Sequence, residues 1–412
     1  MEASPSIVLS YSDAARVVRE HAATITTQSR PIESLALLNS LGRTLAGPVI
    51  ADRDQPPFPR STRDGFACRA ADLASSLLVI GQLRAGEAWT GPALEPGQAI
   101  EIMTGAPVPA GADCVLMVEH ATVDGSHIRT DRRLAPGENI VAAGSEARSG
   151  VTVIPSGTRI APPHIAAAAA SGCGEIQVYA RARVAILATG DELVPIDSVP
   201  QIHQIRNSNS YSIAAQILQH GGQPVLFPIV RDDLAVIESA IEQALDSDLI
   251  ILSGGVSMGK YDFVEQALLN LRAEFFFTGV RIQPGRPAVF GRLPVNETHR
   301  YFFGLPGNPV STLVTFALFA APLLAALSGQ SILELGPRFA EARLATGLRE
   351  KPGLTRFLPA YLESDASHAA VRPIPWQGSG DQTAAAQTNC FLVVPEDSGD
   401  LSSGSSVRIL LA

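Results

Sequence analysis

Residues 248–262 constrain the fold of this chain more than any other stretch. They begin with the apolar run 249–252, which is typical of a buried parallel strand. The turn Ser253-Gly254-Gly255 follows, and the pattern predicts a helix over 261–272. Backbone N–H groups converge at such a turn, where absent Cβ atoms and the helix dipole favour an anion. We predict a phosphate or oxyanion cradle, although an ordinary strand–helix turn can also carry two glycines.

The alternation of strand and helix continues through residues 181–329. This alternation predicts a doubly wound parallel sheet, whose ligands bind at the carboxyl ends of the strands. Asp233 is predicted to cap the second helix, and either Asn207 or Ser208 to cap the first. The predicted strands are 184–188, 224–229, 249–252, 275–282 and 301–303, and the predicted helices are 208–220, 234–245, 261–272 and a last helix after Pro309.

Three further regions surround this α/β domain, so the predicted fold class is a multidomain α/β protein. Residues 1–46 and 143–180 form a predicted N-terminal helical and linker domain, in which 10–45 is read as helical. Residues 47–142 show short β runs between Gly/Pro turns, which is typical of a small β-rich domain. Residues 330–412 are predicted to form a C-terminal β-domain with strands at 369–372, 390–394 and 406–411.

Composition excludes several classes of protein. The formal charge of −9 argues against a general nucleic-acid binder, which usually has a basic face. Four cysteines lie far apart without a C-x-x-C pair, so a zinc site is not expected. The apolar run 313–327 is shorter than the ~20 residues of a membrane helix and is predicted to be a buried helix. With no signal-peptide pattern at the N-terminus, the expected location is the cytoplasm.

Polar and glycine-rich turns follow the predicted strands. Each alone is explained by loop geometry, but together they place backbone donors, a guanidinium and three carboxylates at one sheet edge. The carboxylates are Asp191, Glu192 and Asp262. This mixture suits a nucleotide or pterin phosphate bridged by a divalent cation. The turns are 189–193, 206–210, 283–287 and 304–311, and their predicted ligand-binding residues are Thr189, Gly190, Asn207, Ser208, Gly285, Pro306, Gly307 and Asn308.

The motifs, taken in order, resemble the molybdopterin molybdenumtransferase family of the MoeA type. The chain is similar in the same way to the E domain of gephyrin and to the plant molybdenum insertase. The resemblance runs from about residue 11 to residue 411. The motifs are S-T-R-D-G-F-A (61–67), I-M-T-G-A-P-V-P-A-G-A-D (102–113), A-T-G-D-E-L (188–193), N-S-N-S (207–210), S-G-G-V-S-M-G-x-x-D (253–262), P-G-R-P (284–287) and G-L-P-G-N-P-V-S (304–311).

The resemblance implies an elongated four-domain subunit that forms a homodimer with an active-site cleft approached by both subunits. The implied reaction inserts molybdate into adenylylated molybdopterin, with Mg²⁺-dependent release of AMP and the molybdenum cofactor. A molybdopterin adenylyltransferase and apo-molybdoenzymes are the implied protein partners, with no role for nucleic acid or membrane.

The resemblance also assigns roles to residues. The implied catalytic residues are Asp64, Thr104, Glu192, Asp232 and Asp262, of which Asp64, Glu192 and Asp262 would hold Mg²⁺. A helix-capping role would explain Asp232 nearly as well. The implied pterin-nucleotide cradle is Ser253, Gly254, Gly255 and Ser257, and the implied molybdate residues are Arg286, Ser311, Arg356 and Ser379.

The chain departs from the family pattern at several basic positions. Residues 141–143 are Val-Ala-Ala where the family usually has a basic run, and Gly279 and Gln283 stand where lysines are common. Arg286 replaces a usual lysine with a fork-shaped guanidinium. These losses favour a non-catalytic molybdopterin carrier or scaffold, and the α/β domain alone would also suit a molybdopterin adenylyltransferase. Retention of Asp64, Glu192 and Asp262 favours the insertase.

Overall fold

A six-stranded sheet forms the centre of the structure. The structure is a computed structural model, and it describes residues 7–26, 30–255, 263–331, 336–365 and 368–411. Four neighbouring strands are parallel, which confirms the predicted α/β sheet. Two further strands pair antiparallel at one edge. In spatial order the strands are Gln223–Leu226, Arg183–Ala188, Leu249–Ser253, Thr298–Leu305, Val289–Val295 and Glu274–Phe277.

Helices cover both faces of this sheet. Along the strand Arg183–Ala188, Val184 and Ile186 enter one core, while Ala185 and Leu187 enter the other. This alternation follows from the two-residue period of a strand, and burial on both faces explains the continuous apolar run. The helices on the first face are Tyr11–Ala23, Asn209–Gln219 and Pro309–Leu327, and those on the second face are Leu234–Ala244 and Phe263–Asn270.

The helix Pro309–Leu327 is the most apolar helix among the described residues. Its 19 residues are long and apolar enough to cross a membrane, yet 89% of the apolar window is buried inside this protein. The prediction of a buried helix is therefore confirmed, although the helix is longer than the run 313–327. Its middle, Phe316–Ala320, is a π-helical turn. Pro322 lies two residues beyond this turn and has no N–H group to continue the α-helical bonds, so a widened turn is accommodated there.

The N-terminal region differs from the helical prediction for residues 10–45. The helix ends at Ala23 and packs on the α/β core, whereas Ile32–Ala36 is a strand paired with Glu175–Tyr179. Val49–Ile50 pairs likewise with Thr152–Ile154. Backbone pairing with distant strands overrides the local helical preference here. The helix Pro162–Ala170 lies beside these strands.

The predicted strand over 275–282 is wrong as a single element. The chain divides there into three short strands because each one pairs with a different partner. Glu274–Phe277 joins the central sheet, Gly279–Val280 pairs with Val8–Leu9, and Ile282–Gln283 pairs with Thr355–Ser364. The turn 283–287 therefore follows a strand that pairs with the C-terminal domain, not a strand of the central sheet.

Two β-domains complete the described chain. The C-terminal strands close into a ring, because Thr355–Ser364 pairs with both Ala369–Pro373 and Cys390–Val394. The predicted strands 390–394 and 406–411 are confirmed, and the third spans Ala369–Pro373. The remaining ring strands are Phe339–Leu344 and Ser406–Leu411. The short helix Gln382–Ala386 connects Ala369–Pro373 to Cys390–Val394. The small domain has, in spatial order, Cys114–Met117, Gly65–Cys68, Gln98–Ile102, Leu77–Leu83, His127–Arg129 and Thr122–Asp124.

Candidate functional site

Two adjoining cavities open at the carboxyl ends of three neighbouring parallel strands. Their volumes are about 380 and 700 Å³. The turns after Arg183–Ala188, Leu249–Ser253 and Thr298–Leu305 form the walls that they share. We call the two cavities together the strand-end cleft. Its shared wall residues are Thr189, Glu192, Ile205, Gly254, Gly307 and Asn308.

Gly254 brings two of these turns into close contact. Its φ is +90°, in the left-handed region, and a Cβ atom there would lie 2.6 Å from the carbonyl oxygen of Thr189. The Gly254 N–H donates a 3.3 Å hydrogen bond to the carbonyl of Leu305, on the neighbouring strand. Only glycine meets both the backbone conformation and the close approach. The glycine turn predicted as a cradle is therefore a tight junction of all three strand ends.

Polar atoms without a protein partner are buried at this junction. The hydroxyl of Thr189 and the Oδ1 atom of Asn209 are buried and form no hydrogen bond with the described residues. The Asn209 Nδ2 atom donates to the carbonyl of Gly307 at 2.6 Å and to Ser253 Oγ at 3.3 Å. Buried polar atoms are almost always paired, so two unpaired ones beside a cavity indicate a ligand site. Asn209 lies inside the N-S-N-S motif, but only Asn207 and Ser208 of that motif are predicted from the sequence as ligand-binding residues.

Thr189→Val is expected to stabilise the free protein by about 1 kcal/mol while weakening ligand binding about tenfold. Valine keeps the shape of threonine and removes a buried hydroxyl whose desolvation no described residue offsets. Chemical denaturation and titration with adenylylated molybdopterin measure the two effects. Thr315→Val is the matched control: Thr315 is also buried but donates to Ser311 O at 2.7 Å, so its loss should destabilise. Destabilisation by both variants would contradict an unpaired Thr189.

Carboxylates concentrate negative charge on one side of the strand-end cleft. Glu192 and Asp232 line the smaller cavity, and the Asp232 N–H donates a 3.4 Å bond to Asp191 Oδ1. Burial, together with repulsion from Asp191 and Glu192, raises the pKa of Asp232. The helix-capping role belongs to Asp233, whose side chain accepts from the Val236 N–H at 3.0 Å, as predicted. The carboxylate of Asp232 is thus available to the cleft.

Asp232→Asn is expected to raise the melting temperature at pH 7 and to lose that advantage near pH 4. The folded-state pKa of Asp232 lies above its ordinary value of 3.8, so the folded chain binds this proton more tightly than the unfolded chain. The contribution of the Asp232 carboxyl group to folding stability is fully present below pH 3.8, and it is lost as the pH rises through the raised folded-state pKa. Melting curves at both pH values test this, with the exposed Asp197→Asn as control. An equal change in melting temperature for Asp232→Asn at pH 4 and at pH 7 would contradict a raised pKa for Asp232.

The C-terminal domain contributes part of the wall of the strand-end cleft. Asn308 Nδ2 donates to Ser379 Oγ at 2.9 Å, and the Val310 N–H donates to the Ser379 carbonyl at 3.0 Å. Gln382 lines the larger cavity and donates through Nε2 to Ser208 Oγ. At the start of the helix Asn209–Gln219, Ser208 occupies the N-cap position without a side-chain capping bond, and Asn207 Oδ1 accepts from the Ser210 N–H at 3.2 Å. The structure thus brings predicted residue Ser379 to the cleft edge and adds Gln382, which sequence reasoning missed.

Asp64 and Thr104 form a pair in the small β-domain. One carboxylate oxygen of Asp64 accepts from the Thr104 N–H at 2.6 Å and from its hydroxyl at 2.8 Å. Both bonds lower the pKa of Asp64, and the bond from the Thr104 backbone N–H has the larger effect. Both residues are exposed, and neither lines the strand-end cleft as described in this chain. The sequence prediction places them with the cleft carboxylates, and one chain does not bring them there.

The predicted molybdate residues have different surroundings. Arg356 is 8% exposed, and its Nε lies 3.0 Å from both Gln283 Oε1 and Glu350 Oε2. Arg286 is exposed on the turn that carries Gly285 and Pro287, and Pro287 lines the smaller cavity. Ser311 is buried in the first turn of the long helix. Ser257 and Asp262 lie outside the described residues.

Glycine and proline residues complete the set of predicted ligand-binding positions. Gly190, Gly255 and Pro306 line the smaller cavity, and Ser253 lines the larger one.

Within the described ranges, no group of three His, Cys, Asp or Glu side chains is arranged to hold a metal ion. Glu192 and Asp232 nevertheless fit the usual Mg²⁺ arrangement, in which one or two carboxylates and the substrate phosphates share the ion.

Three family models match successive parts of the chain. They are the MoeA N-terminal region (domain I and II) over residues 9–172, a probable molybdopterin binding domain over 185–326, and the MoeA C-terminal region (domain IV) over 341–412. The strand-end cleft lies mainly in the second matched segment, and Gly380 and Gln382 bring the third segment to it.

Named relatives and a solved structure match the chain along nearly its whole length. The molybdopterin molybdenumtransferase of Nostoc sp. is 35% identical over 382 residues, covering 90% of this chain and 86% of that protein. The enzyme of the same name from Haemophilus influenzae is 33% identical, covering 92% and 93%. The molybdopterin biosynthesis MoeA protein of Pyrococcus horikoshii OT3 superposes with a TM-score of 0.77 at 28% identity, covering 98% and 100%. These matches confirm the resemblance that the motifs carry, and this chain belongs to the molybdopterin molybdenumtransferase family.

Proposed function

We propose that this protein inserts molybdate into adenylylated molybdopterin and releases AMP and the molybdenum cofactor. The observation that carries the proposal is the strand-end cleft, where the unpaired Thr189 hydroxyl and Asn209 Oδ1 face a glycine-lined junction. The names of relatives at 33–35% identity support the same reaction. A pterin nucleotide carries both hydrogen-bond donors and anionic phosphates, which suits an acceptor, a hydroxyl and adjacent backbone N–H groups.

The cleft carboxylates fit a role for Mg²⁺ in this reaction. Glu192 and Asp232 would hold the ion on the cavity side, with Asp191 adding negative charge behind them. When bound, Mg²⁺ supplies neutralisation of phosphate charge during phosphate-bond hydrolysis. The chain itself contributes binding by Thr189 and the glycine turns.

We assign Asp64 to the cleft of a second copy of the chain. Its lowered pKa keeps the carboxylate charged, and Thr104 engages only one of its two oxygens, so the other is free to orient water or a cation. The pair lies on an exposed turn of the small domain, outside the cleft of its own chain. A homodimer that presents this turn to the partner's cleft would unite the predicted acids in one site.

A role for Arg356 in binding molybdate can be tested through its neighbouring carboxylate, Glu350. Its guanidinium already binds the carboxylate of Glu350, and that carboxylate occupies a position that an oxyanion would need. Glu350→Gln is therefore expected to tighten molybdate binding about tenfold by removing the competing charge. Calorimetric titration with molybdate measures it. Glu396→Gln, which frees Arg281 instead, should leave the affinity unchanged. An unchanged affinity in Glu350→Gln would remove Arg356 from the oxyanion site.

The lost basic positions have local structural explanations. Gly279 is buried beside Val8, where an added Cβ would lie 3.3 Å from the valine side chain. Gln283 accepts from Arg356 Nε at 3.0 Å, and Val141 pairs with Arg60 in a short antiparallel strand pair. A non-catalytic carrier remains the second candidate, because these positions no longer offer cations. The adenylyltransferase alternative is disfavoured by the matches to the N-terminal and C-terminal MoeA regions.

Turnover of the full-length protein tests the proposal. Purified protein is mixed with adenylylated molybdopterin, Mg²⁺ and molybdate, and AMP release is followed with reconstitution of a cofactor-free molybdoenzyme. Molybdate-dependent AMP release with reconstitution supports the insertase. Tight pterin binding without AMP release would support the carrier instead. We place the reaction in the cytoplasm, where an adenylyltransferase would supply the substrate and apo-molybdoenzymes would receive the product.

A further inference from the structure

A second cavity lies away from the strand-end cleft. Its volume is about 500 Å³, and none of its described lining residues is shared with the cleft. It lies where the end of Asn209–Gln219 and the middle of Pro309–Leu327 meet the C-terminal ring and the N-terminal region. We call it the helix-end cavity. Its size is within the range of small-molecule pockets.

One side of the helix-end cavity is apolar. The long helix presents Leu313, Ala317 and Ala321, and the C-terminal ring presents Phe391 and Leu410. The small alanine side chains leave the space, and the leucine and phenylalanine side chains provide flat apolar contact. A ligand body without charge, such as an aromatic ring, would lose water from both surfaces on entering.

The polar part of the lining is cationic and contains several hydrogen-bond donors. Arg159 and Arg338 both line it, and among the described lining residues there is no carboxylate side chain. Arg159 is held by its bonds to the carbonyls of Gly42 and Gln219. The guanidinium of Arg338 has no hydrogen bond or ion pair with any residue that the structure describes, and Gln216 Nε2 is buried with no partner among those residues. In a chain of net charge −9, the cavity therefore has two arginines in its lining and no described acidic side chain beside them.

His220 shows that the positive charge reaches into the cavity. Burial lowers its pKa, and Arg159 and Arg338 lower it further. Its Nδ1 lies 2.8 Å from the carbonyl of Gln216, so Nδ1 carries the hydrogen and the ring is neutral at pH 7. His220 therefore adds no charge of its own.

We infer that the helix-end cavity binds a small organic carboxylate with an apolar body. The carboxylate would accept hydrogen bonds from the Arg338 guanidinium and the Gln216 amide, neither of which has a partner among the described residues. The apolar body would pack on the alanines of the long helix and on Phe391. The inference is independent of the proposed activity, since it uses no residue of the strand-end cleft.

Calorimetric titration of the full-length protein with 1-naphthoate tests this inference. We expect one saturable site per chain and at least about tenfold weaker binding of 1-naphthamide, which has the same rings without the charge. Arg338→Gln and Gln216→Leu are each expected to lower the affinity for naphthoate about tenfold. Arg338 is exposed, so its substitution should leave the fold intact.

Two controls locate the binding. Arg343→Gln removes an exposed arginine of the same domain that bonds to the Gly404 carbonyl, and Thr189→Val alters the strand-end cleft. Both should bind naphthoate like the parent protein. The inference is overturned by the absence of saturable binding, by equal binding of the amide, or by an affinity that neither cavity variant changes. Weakening by Thr189→Val would place the naphthoate in the cleft and overturn it equally.

Discussion

Asp64→Asn is expected to reduce molybdate-dependent AMP release by about 100-fold or more while leaving the affinity for adenylylated molybdopterin near that of the parent. Asparagine keeps the oxygen that accepts from the N–H and hydroxyl of Thr104, so the turn retains its structure. What is lost is the charge of a carboxylate whose pKa is held low by those two bonds. Single-turnover AMP release and equilibrium titration separate the two effects.

The Asp64 experiment has a matched control in the same domain. Asp124 is exposed on the strand Thr122–Asp124 and has no assigned role, so Asp124→Asn should turn over normally. Mixing Asp64→Asn with a cleft variant such as Glu192→Gln adds a further test. If Asp64 serves the cleft of a partner, mixed dimers regain one intact site, and activity should partly return. Normal turnover by Asp64→Asn alone would remove this residue from the catalytic site.

Gly254→Ala is expected to abolish detectable binding of adenylylated molybdopterin and to destabilise the protein by about 3 kcal/mol. The alanine would need a left-handed φ of +90°, and its Cβ would lie 2.6 Å from the Thr189 carbonyl. That contact is with backbone, so a side-chain rotation does not relieve it. The three strand ends would have to separate, and the wall of the cleft would separate with them.

Gly86→Ala isolates the two contributions to that effect. Gly86 has a φ of +85°, nearly the same as Gly254, but nothing lies within 4 Å of its potential Cβ atom. Its alanine variant should therefore show only the conformational penalty of about 1 kcal/mol and bind the pterin nucleotide normally. Denaturant unfolding of both variants gives the comparison. Equal destabilisation would show that the close approach at Gly254 contributes nothing.

Local patterns predicted the parts of the site that depend on neighbouring residues in the sequence. The run before Ser253 forms a buried strand, its glycine turn lies at the predicted sheet edge, and Asp233 caps its helix. These features follow from strand periodicity, glycine conformation and capping, which short windows of sequence contain. Prediction was successful wherever the deciding interaction is local.

Features set by distant pairing could not be read in the same way. The segment 275–282 is rich in apolar and β-branched residues and resembles one strand, yet three different partners divide it. Gln382 reaches Ser208 across 174 residues, and no local signal marks it. Asn209 was missed because an asparagine at a helix start resembles a cap, and only the packed structure shows its Oδ1 buried without a partner. Tertiary context decides each of these.

The paired strands Ile32–Ala36 and Glu175–Tyr179 have a consequence for how the chain folds. The two strands are far apart in sequence: Ser34 donates a hydrogen bond to Glu175, which is 141 residues later in the chain. The whole small β-domain is formed by residues between these two strands in the sequence. Closing so long a loop carries an entropic penalty that slows folding. If the small domain folds first, its compact form brings the two strands together, because Val49–Ile50 and Thr152–Ile154 pair at its base. The order of synthesis from the ribosome therefore favours early folding of the inserted domain, with the N-terminal strand joining its partner late.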